Sequence, residues 1–135
     1  MNATAKGIIF SIKNDEPFFV FADKFRIRQV LTNLIVNSVK YGKEYGETIV
    51  RITESNDLAK IEIADNGIGI AEEYLDRLFE RFFRIDKSRS REQGGTGLGL
   101  SIVKHIIEAH KQKISVSSKL GSGTIFSFTL QKESS

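Results

Sequence analysis

From Asp23 onward, Ile27, Val30, Leu31, Leu34 and Ile35 recur at three- and four-residue intervals, and Ser38 continues the stripe. That spacing predicts one helix, capped by Asp23 and running to about Tyr41. Thr48 to Thr53 and Leu58 to Ala64 alternate apolar with polar around Glu54-Ser55-Asn56-Asp57, the pattern of two half-buried antiparallel strands. Upstream, Gly7 to Ile12 and Phe18 to Phe21 flank Lys13-Asn14-Asp15-Glu16-Pro17, whose turn chemistry predicts a hairpin. Downstream, a short helix is expected around Glu72 to Arg81. Arg84 to Gly95 is polar, charged and glycine-ended, which predicts a mobile lid. Leu98, Ile102, Val103, Ile106 and Ile107 stripe a further helix to about His110, and Lys113 to Ser117 and Thr124 to Leu130 close the sheet around Gly121-Ser122-Gly123. Together these elements predict a single α/β domain: a two-layer sandwich, its mixed, mostly antiparallel sheet carrying helices on one face.

Composition agrees with a self-supporting domain. At 135 residues and 40% hydrophobic content the chain is long enough to bury its own core. With no cysteine, neither a disulfide framework nor a thiolate metal site exists, which suits a reducing, cytoplasmic setting. No apolar run reaches the roughly 18 residues of a membrane span, and Met1-Asn2-Ala3-Thr4 does not lead into a signal peptide, so no membrane contact is expected of this stretch. The net charge is +3, and the densest basic cluster, Lys87 to Arg91, lacks an aromatic residue for base stacking. Nucleic acid is therefore not an expected partner.

Three features carry chemistry. At about 100° per residue, Asn33, Asn37 and Lys40 share a sector of roughly 60° on the first helix, bordering its apolar stripe. Alone, such a strip reads as a solvated face. Yet asparagine is a mediocre helix former, and two stand one turn apart, where a carboxamide oxygen could coordinate a hard cation while Lys40 meets phosphate oxygens. The second feature is Asp65-Asn66-Gly67-Ile68-Gly69-Ile70, where a strand delivers a carboxylate. A strand end followed by Asn-Gly often simply turns. A carboxylate in an apolar cleft, however, only accepts hydrogen bonds, so it could take the exocyclic amine of adenine and reject the carbonyl of guanine, a discrimination that can reach about 10⁴-fold. Gly67 and Gly69 would let base and sugar approach the backbone. The third is Gly94-Gly95-Thr96-Gly97-Leu98-Gly99-Leu100, which runs into a helix whose first amides can bind phosphate. Neither the Walker spacing nor a dinucleotide fingerprint is present.

With these boxes in place the chain resembles the catalytic ATP-binding domain of sensor histidine kinases, of the family shared with gyrase B, Hsp90 and MutL. The asparagine box is Asn33 to Tyr41, the first glycine box Asp65 to Ile70, the phenylalanine box Leu78 to Arg84 with Phe82 inside it, the second glycine box Gly95 to Leu100, and the last Gly121 to Thr124. The match covers about Gly7 to Leu130, and five boxes in order are highly specific. The resemblance implies the Bergerat-type fold with ATP and Mg2+ as cofactors. It also implies Asn37 on magnesium, Asp65 on the adenine amine, and Lys40, Tyr41 and Arg84 on the nucleotide or its phosphates. Thr96 to Leu100 would wrap the triphosphate. Asn37, Lys40 and Arg84 would serve transfer, which needs mostly alignment and charge neutralisation.

Two absences refine what the resemblance implies. ATP-hydrolysing relatives carry a glutamate one turn before the magnesium asparagine, where this chain has Asn33 and hence no base for water. The phosphate-receiving histidine normally lies in a separate helical hairpin, within a His-Glu motif followed by proline. His105 and His110 precede Ile106 and Lys111 instead and read as structural or surface residues. The implied activity is transfer of the γ-phosphate to a histidine of a partner helical phosphoacceptor and dimerisation domain, and from there to a response regulator, the domain itself being a monomer. The parent protein could be anchored in a membrane, as relatives often are. Two alternatives are a regulatory ATP sensor without transfer and an anti-sigma-type serine kinase. The chain departs from the family pattern at Ser38 for a usual alanine, Gly42 for a usual serine or threonine, and Lys111-Gln112 for a common glycine pair. The last leaves open how that helix ends.

Overall fold

The computed structural model of the chain describes residues 9–14, 20–81, 83 and 99–132. Strands β1 (Ile9–Asn14), β2 (Val20–Phe21), β3 (Glu47–Ser55), β4 (Leu58–Asp65), β5 (Ile114–Lys119) and β6 (Gly123–Lys132) form one sheet, with helices α1 (Lys24–Lys40), α2 (Glu72–Leu75) and α3 (Gly99–Ala109). The path runs β1-β3-β4-β6-β2, with β5 also paired to β6. All these pairings are antiparallel except β1 with β3. The expected two-layer α/β sandwich is what forms.

Period-two alternation decides which face is covered. Ala59, Ile61 and Ile63 of β4 are buried, and register sets them against Leu130, Phe128 and Phe126 of β6, all buried too. Helix α1 lays Val30 and Leu34 on this inner face and α3 adds Val103, Ile106 and Ile107, making one contiguous core. Each large side chain so buried contributes about 1.5 to 3 kcal/mol. Phe79 meets Phe126 edge to face, with ring centroids 6.1 Å apart.

The two long helices run antiparallel, with the start of α1 tied to the end of α3. Asp23 caps α1, its carboxylate accepting from the N–H of Phe25 and Arg26, while its own N–H donates to His110 Nε2 at 3.0 Å. His110 Nδ1 in turn donates to the Ile106 carbonyl at 2.8 Å, which fixes the neutral tautomer. The expectation of a structural role for this histidine fits these contacts, and His105 is exposed. Past α3 the chain closes without glycine: Lys111 takes φ 60, Lys111 N–H donates to Glu108 and Gln112 N–H to Ile107. That is a Schellman cap with lysine in the left-handed position.

The expected hairpin of the first two runs does not form. β1 pairs in parallel with β3, Ile9 opposite Glu47, whereas β2 pairs with the far end of β6. A parallel pair needs a crossover, and α1 between β1 and β3 supplies it. The helix expected over Glu72 to Arg81 stops at Leu75. Beyond it, three-residue bonds from Arg77, Glu80 and Phe83 to Tyr74, Arg77 and Glu80 continue as turns, which lets Leu78 enter the core. The expected lid, Arg84 to Gly95, lies outside the described residues.

Candidate functional site

The inner face of the sheet is apolar until its last row. Val50, Ile63, Phe126 and Val116 lie side by side across four strands, and two residues further along the same face come Thr48, Asp65, Thr124 and Ser118. Asp65 thus shares a face with Ile61 and Ile63 but stands where the core ends. Burial pushes its carboxyl above the ordinary 3.8, while the backbone N–H groups of Gly67 and Thr124 pull the other way without cancelling the shift. Gly67 N–H donates to Asp65 Oδ1 at 2.9 Å, so one oxygen is held and the group is oriented.

Hydroxyls knit this row together. Ser118 Oγ donates to the Gly123 carbonyl at 2.8 Å, receives the Thr124 hydroxyl at 2.7 Å and accepts from Ile70 N–H at 2.8 Å. One serine on β5 therefore joins the end of the first glycine box to the last. Sequence reasoning passed over Ser118 and Thr48, and noted Ser38 only as part of the stripe and as a departure from the usual alanine. The visible signal was the alternation Ile114, Val116, Ser118, which places a hydroxyl at the end of an apolar row; that it lies beside Thr124 and near Asp65 depends on cross-strand register.

Helix α1 supplies the other wall. Asn33, Asn37 and Lys40 are half-buried beside fully buried Leu34 and Ser38, as expected of a strip bordering the stripe. Lys40 Nζ lies 5.5 Å from the centre of the Tyr41 ring, a cation–π distance. The Tyr41 N–H donates to the Asn37 carbonyl at 3.1 Å, and the Tyr41 carbonyl accepts from Ile68 N–H at 3.1 Å, which docks the first glycine box on the helix end. Asn33 Nδ2 donates to the Gly99 carbonyl at 3.3 Å. The second glycine box thereby ends against the middle of α1, with Leu100 half-buried just beyond.

The glycines of the first box have a reason within the chain. A Cβ on Gly67 would sit 2.2 Å from the Tyr41 carbonyl oxygen, and one on Gly69, at φ +78, would sit 2.1 Å from that of Lys119. Backbone fills the space that a side chain would need, so these residues allow α1, the box and β5 to close on one another. The approach they permit on that side is of one backbone segment to another. Ile70 is 2% exposed and anchors the loop in the core.

The structure therefore brings Asn33, Asn37, Lys40, Tyr41, Asp65, Gly67, Gly69, Ile70, Gly99, Leu100 and Thr124 around one end of the sheet. Phe82, Arg84, Gly95, Thr96, Gly97 and Leu98 lie outside the described residues. The residues present fit an adenine nucleotide with a hard cation: an oriented acceptor-only carboxylate at the edge of the core, carboxamides one turn apart, and a lysine at the helix end. Among the described residues no cluster of three or more His, Cys, Asp or Glu side chains could hold a metal alone.

The family described as histidine kinase-, DNA gyrase B- and HSP90-like ATPases matches residues 22–134, and the chain belongs to it. It is 42% identical over 118 residues to the sensor histidine kinase WalK of Bacillus subtilis, a match that covers 86% of this chain and 19% of that protein's length. The nucleotide-free catalytic domain of histidine kinase ThkA superposes with a TM-score of 0.83 at 31% identity, covering 97% of this chain and 83% of that one. Full-length ShkA in complex with AMPPNP superposes with a TM-score of 0.84 at 28% identity, over 99% of this chain and 28% of that one.

Proposed function

We propose that this domain binds magnesium-ATP and transfers its γ-phosphate to a histidine on a helical phosphoacceptor and dimerisation domain, for relay to a response regulator. The observation that carries the proposal is the row ending in Asp65, set against a helix that offers Asn37 and Lys40 but no carboxylate at position 33. Asp65 accepts the adenine amine. Asn37 holds the cation, Lys40 faces the phosphates, and Tyr41 and Thr124 line the base side, with the backbone from Gly95 to Leu100 on the triphosphate and Phe82 and Arg84 completing the site. The magnesium ion, when bound, neutralises charge on the β- and γ-phosphates.

Asn33 sets what the pocket does with that phosphate. Its amide nitrogen donates to the Gly99 carbonyl, and a carboxamide, unlike a carboxylate, is too weakly basic to take a proton from water. The γ-phosphate is thereby kept for a better nucleophile, the acceptor imidazole. The test is incubation with magnesium-ATP and the separated helical domain of a matching sensor kinase. Acid-labile phosphate on that domain is expected; its absence, while ATP still binds, selects a nucleotide sensor without transfer.

A further inference from the structure

Two buried hydroxyls beside Asp65 form a directed hydrogen-bond chain. Ser38 and Thr48 are each 1% exposed. Ser38 Oγ donates its one hydrogen to the Ile35 carbonyl at 2.8 Å, so in its 3.2 Å contact with Thr48 Oγ1 the donor is Thr48. Thr48 also stands directly opposite Asp65 in the β3–β4 ladder, on the same face. Opposed side chains there have Cβ atoms roughly 5 Å apart, within reach of a hydroxyl and a carboxylate. A hydroxyl placed to serve the carboxylate has its hydrogen turned away from it.

We infer that Ser38 is a positioning residue for the adenine-reading carboxylate: by accepting the Thr48 hydroxyl it keeps that hydrogen off Asp65 and leaves the carboxylate oxygen not held by Gly67 open to the ligand's amine. This rests on the reading of Asp65 as the adenine acceptor. With alanine at 38, the Thr48 hydroxyl loses its acceptor inside the core. An unmet buried donor is costly, so it turns to the anion across the ladder. The new bond favours the charged form of Asp65 and competes with the amine for the same lone pairs.

Among the described residues, the charged groups nearest this exchange lie off the inner face. Glu47 and Glu62 occupy the opposite parity of β3 and β4 and point from the other face, Lys119 is exposed at the end of β5, and Lys40 lies over Tyr41. Lys104, His105 and Glu108 of α3 are exposed. Among the described residues, the influences that act on Asp65 are burial, which raises its pKa, and the N–H groups of Gly67 and Thr124, which lower it.

The experiment is a pH titration of the Asp65 side-chain carbon by NMR in the ligand-free chain, beside calorimetric ATP affinity, for the parent, Ser38→Ala, Thr48→Val and the double variant. In Ser38→Ala the Asp65 midpoint is expected to fall by about 0.5 to 1, with ATP bound about three- to tenfold more weakly. In the double variant, which has no hydroxyl to redirect, the midpoint is expected to match that of Thr48→Val. An unmoved midpoint in Ser38→Ala, or a shift that survives in the double variant, overturns the inference, even if Asp65→Asn shows that the carboxylate binds ATP. A shifted midpoint with ATP affinity unchanged in both Ser38→Ala and Asp65→Asn overturns the adenine-reading role and this inference with it.

Discussion

Replacing Asp65 with asparagine separates recognition from folding. The carboxamide oxygen can still accept from Gly67 N–H, as Oδ1 does at 2.9 Å, so on the proposed role the remaining amide nitrogen would take the position offered to the adenine amine. A donor then meets a donor. Loss of one hydrogen bond to a charged group costs about 1.5 to 3 kcal/mol, which is about 10- to 100-fold in ATP affinity. Stability moves differently. Burial raises the folded-state pKa of Asp65 above 3.8, so the folded chain holds this proton more tightly than the unfolded chain does. Its contribution to stability therefore declines as pH rises from 3.8 through the raised value, and at neutral pH the parent bears the full cost of a buried charge. Asparagine carries no such cost. Calorimetry with ATP and thermal melts at pH 7 check both halves: weaker binding with a melting temperature no lower than the parent's is expected. A loss of melting temperature with affinity intact would refute the reasoning and make Asp65 a structural residue.

Other outcomes follow from single contacts. If Asp65 reads the amine as proposed, only its ionised form accepts it, so ATP affinity should fall on acidification through the raised Asp65 value, at higher pH than an ordinary aspartate would give, and the Asp65→Asn variant should lose that dependence in the same titration. Asn37→Ala should abolish the magnesium dependence of ATP binding, and unchanged magnesium linkage in calorimetry would remove the metal from that residue. Lys111→Gly relieves a left-handed lysine at φ 60 and should stabilise by about 1 kcal/mol, seen as a rise of a few degrees in melting temperature. Ser118→Ala strips the acceptor from the N–H of buried Ile70 and should cost about 1 to 3 kcal/mol in denaturant unfolding.

What local pattern decides was legible in the sequence. Alternation through Ala59, Ile61 and Ile63 put Asp65 on the inner face, and the stripe of Val30 and Leu34 left Asn33, Asn37 and Lys40 on its border, where the structure has them. What depends on pairing between distant segments was not. The runs either side of Lys13 to Pro17 looked like hairpin partners, yet they join opposite parts of the sheet, because neither run encodes which edge it will meet. Ser118 and Thr48 are unremarkable in sequence and gain meaning only when register sets them beside Thr124 and Asp65. The glycines of the first box were visible, but the Tyr41 and Lys119 carbonyls that demand them were not. Lys111 shows the reverse case, since the Schellman geometry forms even though the favoured glycine is absent.

The claim most open to direct test is that Asn33 makes this a transferring site rather than a hydrolysing one. γ-Labelled ATP with magnesium is incubated with the chain alone and then with the separated helical acceptor, and the label is partitioned among ATP, free phosphate and protein. Label that stays in ATP without the acceptor, and moves to an acid-labile adduct on the acceptor when it is added, is the expected result. Free phosphate released by the chain alone, or acid-stable label on a serine of the partner, would contradict it.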